Sequence, residues 1–506
     1  MKTPVLGIVL SFAAAAQTFR VAGIVTDGVR GLPVERARVI LASAHLVRRA
    51  LTAADGKFSF DVPEGKCTLL AERNAWGTVF GIPAPSVGFG SAVIVGPRQD
   101  TAHLVLRWYA PGAIAGRVTD EQGESVRDAG VQLIRVPSAN GGQRVLFAGY
   151  ASTDDRGEYR IGPLPAGTYY VAVMSSPWYA SHGEVGRIEG SIERPGTAIG
   201  FPAVYYPGSG ALRGATPIKV GAGAEVHADI ALRTSTAVHV RVHCSGMDNG
   251  QCPGNPELHS EGVVWRWDIP LERVPPGRYS LRLRGSDRTV DQVIDVGSSD
   301  MTVELTLQSR PVVAGTVTLK TDKVVPAELG VSLSSETNDD AFRAAIGPDG
   351  TFRFSDLDAG RYRLRLLGPP GWFIAELSAE GAPLKDGVLE LKGEAVVQIN
   401  VLASDETGRL KGFAVNGDTP VPAVLVVLTP LDGHSAPLGF QTESDGSFDY
   451  TSVPAGDYLL FAVDKLDFEY ANPEVTRPYL AGATAVHIPA HGVVEQRVPL
   501  TAGSGN

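Results

Sequence analysis

The stretch Asp445-Gly446-Ser447-Phe448-Asp449-Tyr450, followed by Val453-Pro454-Ala455-Gly456-Asp457-Tyr458, sets a turn, a strand, a second turn and a second strand within fourteen residues. Nearly the same text stands at 349–362, at 155–169 and at 55–67. Asp-Gly suits a tight turn, because Gly accepts positive φ and the Asp carboxylate can bond backbone amides. Aromatic pairs two residues apart follow it: Phe58 and Phe60, Phe352 and Phe354, Phe448 and Tyr450, with Tyr159 and Ile161 in the remaining copy. That spacing points both rings to one face of a strand, so they should fill the inner side of a sheet.

Working outward, the second turn recurs with its glycine at Gly65, Gly167, Gly277, Gly360 and Gly456, at intervals of 102, 110, 83 and 96 residues. Repeats of that length are whole domains, not solenoid units of about 20–50 residues. Each unit opens on a Gly-containing strand, as in Ala22-Gly23-Ile24-Val25, Ala115-Gly116-Arg117-Val118, Ala314-Gly315-Thr316-Val317 and Lys411-Gly412-Phe413-Ala414-Val415. An alternating strand follows, with Ala37, Val39 and Leu41, then Ala129, Val131 and Leu133, then Leu329, Val331 and Leu333 on one face. Period two with one apolar face marks a half-buried antiparallel strand. Residues 424–428 are apolar throughout, which predicts a strand covered on both faces. After the second turn the alternation resumes at Tyr169, Tyr279, Tyr362 and Tyr458, with Cys67 in the first copy. Each Tyr ring is expected between sheets, its hydroxyl bonded to backbone near the edge. No convincing helical period is present. The fold class is all-β, a tandem array of about five Greek-key, transthyretin-like β-sandwich domains.

The division expected is an export signal at 1–16, units at 17–110 and 111–234, a degenerate unit at 235–310, and units at 311–405 and 406–506. The second unit carries an insertion at 175–223, rich in Tyr, Gly and Pro. Lys2, the apolar run 5–16 and Ala14-Ala15-Ala16 give the three parts of a signal peptide. The run is too short to span a bilayer, which needs about twenty residues. The chain is therefore expected to be exported, to the periplasm, the cell surface or the medium, with no integral membrane span.

The totals agree. Gly (59) and Pro (35) supply many turns, and 20% charged with 43% hydrophobic residues suits globular units. A formal net charge of −10 without a basic run argues against nucleic acid as a partner. Of three cysteines, Cys244 and Cys252 sit eight apart around Gly246, Asn249 and Gly250 and can close a hairpin loop as a disulfide; Cys67 takes a buried strand position.

Taken in order, Gly23-Ile24-Val25, Pro33-Val34-Glu35-Arg36-Ala37, Thr52-Ala53-Ala54-Asp55-Gly56-Lys57-Phe58 and Pro63-Glu64-Gly65 resemble the carboxypeptidase regulatory-like domain. The pattern recurs in the second, fourth and fifth units and partially in the third. The resemblance implies a transthyretin-like sandwich, related in fold to starch-binding-type carbohydrate modules. It hands over no active site, since the matched residues are turn and core positions.

Searching for chemistry returns little. No His is followed three residues later by Glu, and His-Glu-x-x-His is absent, so neither a metallocarboxypeptidase nor the commonest metalloprotease motif is present. His239 and His243 alternate with valines on a strand, where four residues span about 13 Å at ~3.3 Å each. Ligands each about 2.0–2.1 Å from one zinc cannot stand so far apart. His487 and His491 bracket a loop, where a shared metal is merely unsupported. Asp154-Asp155 and Asn338-Asp339-Asp340 could hold calcium through oxygen ligands, but neither has the twelve-residue EF-hand pattern and turn-forming Asp is the favoured reading. No Gly-x-Ser-x-Gly, phosphate-binding or dinucleotide motif occurs. No cofactor and no enzyme activity are expected. What remains is aromatic residues outside the core alternation: Trp178, Tyr179, Tyr205, Tyr206, Trp372, Phe373, Tyr470 and Tyr479. Such rings can stack on sugars, anchor a protein partner, or cover the open end of their own sandwich. The function expected is a non-catalytic exported binding protein, for carbohydrate or cell-envelope glycan through these loops. The alternative is a structural or adhesive spacer recognising surface proteins; an enzyme with a site assembled between domains is the third.

Overall fold

The computed structural model describes residues 17–501, apart from 75, 80–91, 136–145, 178–198, 246–251, 261–262, 266–270, 272, 286–287, 321–324, 337–339, 386, 394, 432–436, 465–469 and 471–472. The expected signal segment therefore lies outside the described residues, as do Trp178 and Tyr179.

The array is built on one repeated sandwich. In the first unit the strand Thr18–Asp27 runs antiparallel to Lys57–Pro63 and parallel to Leu104–Trp108. The facing sheet orders Val47–Leu51, Arg38–Ala42, Gly65–Arg73 and Trp76–Val79, with Val93–Val95 also on Gly65–Arg73. The opening strands Gly112–Thr119, Val312–Leu319 and Thr407–Asn416 repeat this, each with an antiparallel and a parallel neighbour. In the fifth unit Val493–Thr501 pairs with both Thr407–Asn416 and Gly456–Val463, so its layers join into one eight-stranded sheet. The third unit is reduced: Val240–Ser245 pairs only with Met301–Thr306 among the described residues.

Each repeated residue has a mechanical reason. The opening glycine lets the parallel strand come close: a Cβ added at Gly23, Gly116 or Gly412 would stand 2.0, 2.2 or 1.7 Å from the carbonyl oxygen of Leu104, Ala228 or Gln496. The turn glycines Gly56, Gly157, Gly350 and Gly446 have φ of 71, 72, 81 and 80°. That conformation costs glycine little. Their carbonyls accept from the N–H of Val25, Val118, Val317 and Ala414 at 2.8–3.1 Å, which ties the turn to the opening strand. Asp55, Asp349 and Asp445 each accept the N–H two residues on through Oδ1, at 3.0–3.1 Å. Thr52, Thr153 and Thr442 are buried, and each donates its hydroxyl to a carbonyl of the loop before the second strand, those of Val34, Val126 and Val421. The fourth unit has Ile346 at this place and lacks that staple.

The tyrosines behave as expected from the sequence. Tyr169, Tyr279, Tyr362 and Tyr458 are at most 4% exposed. Each donates its hydroxyl to the carbonyl four residues earlier, on Pro165, Pro275, Asp358 and Pro454 at 2.7–3.1 Å. Burial raises the Tyr169 phenol and pushes those of Tyr279 and Tyr362 up to about 12. The aromatic pairs also meet, with ring centroids 6.0 Å apart for Phe58 and Phe60 and 5.9 Å for Phe352 and Phe354.

Two expectations are corrected. Residues 175–223 are not an insertion throughout: Ile218–Val220 pairs with Gly167–Tyr169, the place taken by Val93–Val95, Val388–Leu391 and Thr484–Ile488 elsewhere. A helix, Pro473–Leu480, also occurs where none was expected. It lies over the strand Leu425–Pro430, whose Val426 and Leu428 face the fifth core while Leu425 and Val427 face the helix. The expected two-faced burial of 424–428 is thus met by a helix on one side.

Candidate functional site

The described loop aromatics go to different places, and most are packing residues. Tyr205, expected in an exposed loop, sits in the short strand Val204–Tyr205 and is 0% exposed. The strand Gly167–Met174 explains why. Its Tyr169, Val171 and Val173 fill the second unit's core, while Tyr170, Ala172 and Met174 point the other way. That outward face, with Ile134, Ala203 and Tyr205, forms one apolar cluster with Val238, Val240, Leu258, Leu281 and Leu283 of the third unit. A Tyr-Tyr-Pro-Gly text reads as turn chemistry, and nothing local reveals that its strand will be covered by the next domain. Tyr206 is half-buried against the second unit's own core.

Tyr470 and Tyr479 are likewise half-buried, over the outer face of the fifth sheet. The Tyr479 ring stacks on Phe461, with centroids 5.7 Å apart and planes 14° apart. Trp372 packs against the fourth core and is half-buried, as is Phe373. Sequence reasoning missed the exposed rings altogether: Phe147 is 61% and Tyr150 54% exposed, on Leu146–Ser152 at the outer edge of the second unit's sheet. They stand in no motif, and edge position is a property of strand order alone.

Between the third and fourth units lies a polar cleft of about 450 Å³. Arg284 reaches across it to Asp358 at 2.7 Å and to Asp340 at 3.7 Å, and Tyr362 and Gln308 line it. Its charges of opposite sign largely answer one another. Among the described residues no three His, Cys, Asp or Glu stand together so as to hold a metal ion. Asp154 accepts the N–H of Arg156 and of Glu158, which makes it a turn residue. Asn338 and Asp339 lie outside the described residues, as do Gly246, Asn249 and Gly250. The Cys67 thiol is 5% exposed and burial pushes it up to about 11, the opposite of an activated nucleophile. Burial is also the first cause that holds His259 below the usual imidazole range. Cys244 and Cys252 are bonded, with Cα atoms 5.1 Å apart. No described helix is long and apolar enough to cross a membrane.

Residues 113–233, about a quarter of the chain, match the family model of the carboxypeptidase regulatory-like domain. No curated protein matches the chain. Among solved structures it is similar to the Bacillus anthracis TIE protein (12% identity, 92% of this chain and 65% of that one, TM-score 0.17). It is similar also to GBS52, the minor pilin of Streptococcus agalactiae (14% identity, 38% of this chain and 98% of that one, TM-score 0.19). The shaft pilin SpaA of Lactobacillus rhamnosus GG is a further likeness (12% identity, 43% of this chain and 98% of that one, TM-score 0.21). The chain spans about two thirds of the length of the first of these. Scores near 0.2 are too low to carry a shared arrangement of units.

Proposed function

Carrying a carboxypeptidase regulatory-like domain at 113–233 within a tandem array of β-sandwiches, this chain is, we propose, a non-catalytic spacer that holds an adhesive surface outside the cytoplasm. One observation carries the reading. The second and third units share a single apolar cluster that includes the fully buried Tyr205, so that pair is set at a fixed angle as a domain interior would be. Fixed orientation between modules serves a spacer and does nothing for a string of independent sugar-binding heads. The repeated residues support it too, since every one is accounted for by a turn, a staple or a core contact. The Cys244–Cys252 disulfide favours an oxidising compartment, which agrees with export.

Protein is the partner class supported better than glycan. Tyr205 and Tyr479, two candidates for a sugar platform, are occupied by packing. Phe147 and Tyr150 stand instead on a strand edge, where backbone groups and exposed rings together suit an incoming polypeptide. The test is retention of cell-envelope material on the immobilised chain, after protease or after periodate treatment of that material. Loss of retention with protease, and on Phe147→Ala/Tyr150→Ala in the chain, is expected. Retention that survives protease and disappears with periodate would replace this reading with the carbohydrate one.

A further inference from the structure

The turn between the two repeated strands differs in the fifth unit. The two residues before Asp-Gly are Ala53-Ala54 in the first unit and Gly347-Pro348 in the fourth, but Glu443-Ser444 in the fifth. Asp445 already serves the turn, accepting from the N–H and hydroxyl of Ser447. Glu443 is therefore left over, yet it is only 4% exposed. A buried carboxylate needs donors, and among the described residues the two that its side chain has both come from the first unit. The N–H of Ala92 donates to Oε2, and Lys66 Nζ donates to Oε1 at 3.2 Å.

The neighbouring residue completes the contact. Ser444 donates its N–H to the carbonyl of Ala92 at 3.0 Å, and its hydroxyl accepts the N–H of Ile94 at 3.0 Å. Ala92 and Ile94, two residues apart, present these groups along the outer edge of Val93–Val95, whose other edge is paired with Gly65–Cys67. A free strand edge offers such a row of unpaired groups to any chain that fits. Lys66 also faces Asp449 of the fifth unit; Arg409 first, and Lys66 with it, holds that carboxyl below the usual carboxylate range. The carboxylate, hydroxyl and backbone of one turn thus meet the ammonium and edge amides of one strand, across 377 residues of sequence.

We propose that the first and fifth units bind each other within one chain, the Glu443-Ser444 turn acting as a latch on the Val93–Val95 edge that closes the tandem array on itself. The partner of this edge is the chain's own fifth unit. The latch also leaves the edge unavailable for pairing with another copy.

The test uses the full chain with a donor and an acceptor fluorophore on cysteines replacing Leu51 and Leu431, both exposed. Energy transfer is expected in the otherwise wild-type protein at high dilution. It should be lost with Lys66→Glu, which sets two carboxylates against each other, and reduced with Glu443→Ala. Because Lys66→Glu lies outside the fifth unit, it separates latch opening from damage to the turn itself. Circular dichroism and melting should be unchanged in that variant. Equal transfer in wild type and Lys66→Glu would overturn the proposal. So would transfer seen only on mixing singly labelled chains, which would make the contact one between copies.

Discussion

The third unit is joined to its two neighbours by different physics. Toward the second unit it presents Val238, Leu258, Leu281 and Leu283, and receives Ile134, Ala172 and Tyr205 in one apolar cluster. Toward the fourth it presents Arg284 across a water-accessible cleft, to Asp358 and Asp340. Burial of apolar area is worth roughly 25 cal/mol per Å² and is insensitive to dilute salt, whereas a partly exposed ion pair is worth under about 1 kcal/mol and is screened. The second and third units should therefore move and melt as one body, and the third and fourth as two.

The most damaging test of that contrast is Tyr205→Ala. Truncating a fully buried aromatic costs about 3–5 kcal/mol where the site cannot collapse, and Tyr205 is 0% exposed. Urea denaturation is expected to show the second and third units both losing stability, and their common transition splitting in two. A shift confined to the second unit would break the idea of a shared core. Next in size is the disulfide. Breaking Cys244–Cys252 with reductant, or by a double Cys→Ser change, removes a short loop closure worth about 2.5 kcal/mol in the chain-entropy estimate. If the junction is a common core, that loss reaches the second unit and leaves the fourth unmoved.

The repeated frame was legible because its causes are local. Asp-Gly, the alternating apolar positions and the Tyr four residues after a backbone acceptor all act within a dozen residues, so one copy of the text predicts its own geometry. The apolar run at 424–428 announced two-faced burial for the same reason, although the helix over it, with Pro478 inside, carried no periodic signal. The junctions were not legible. Tyr205 looked like a loop ring, because the apolar cluster that buries it is built largely of residues of another unit, Val238 and Leu281 among them. The alternation Tyr170, Ala172, Met174 reads as a solvent face until the third domain is placed on it. Phe147 and Tyr150 were missed because exposure at an edge depends on strand order, not on residue pattern.

A smaller effect distinguishes the frame from the junctions by pH. Burial, the first cause in both, pushes the Tyr279 and Tyr362 phenols up to about 12, above their ordinary value of about 10. The fold therefore favours the protonated phenols. Their contribution is complete below about pH 10 and is lost as pH rises from there toward 12. Urea midpoints should fall over that window in both units, and Tyr279→Phe should flatten the fall in the third while leaving that of the fourth. Losing the hydroxyl itself should cost only about 1 kcal/mol.

The smallest expected effect belongs to Arg284→Ala, and it is the sharpest probe of the polar junction. Arg284 is 41% exposed at its side chain and Asp358 is 20%, so water shares the pair. Oδ2 of Asp358 takes the 2.7 Å contact, while its Oδ1 is buried without a hydrogen-bond partner among the described residues. Removing Arg284 leaves that carboxylate uncompensated, but the cleft beside it admits solvent, which holds the cost under about 1 kcal/mol. The third unit's own melting should hardly change. What should change is coupling: with the first-to-fifth latch opened by Lys66→Glu, scattering of the full chain should report a wider spread of third-to-fourth orientations once Arg284→Ala is added. Raising salt from about 0.15 to 1 M, which shortens the screening length from about 8 to 3 Å, should produce the same spread in the Lys66→Glu chain that keeps Arg284. The second-to-third pair should ignore both treatments. If salt loosens it equally, or if Arg284→Ala destabilises the chain as much as Tyr205→Ala, the two junctions are alike and the contrast drawn from them is wrong.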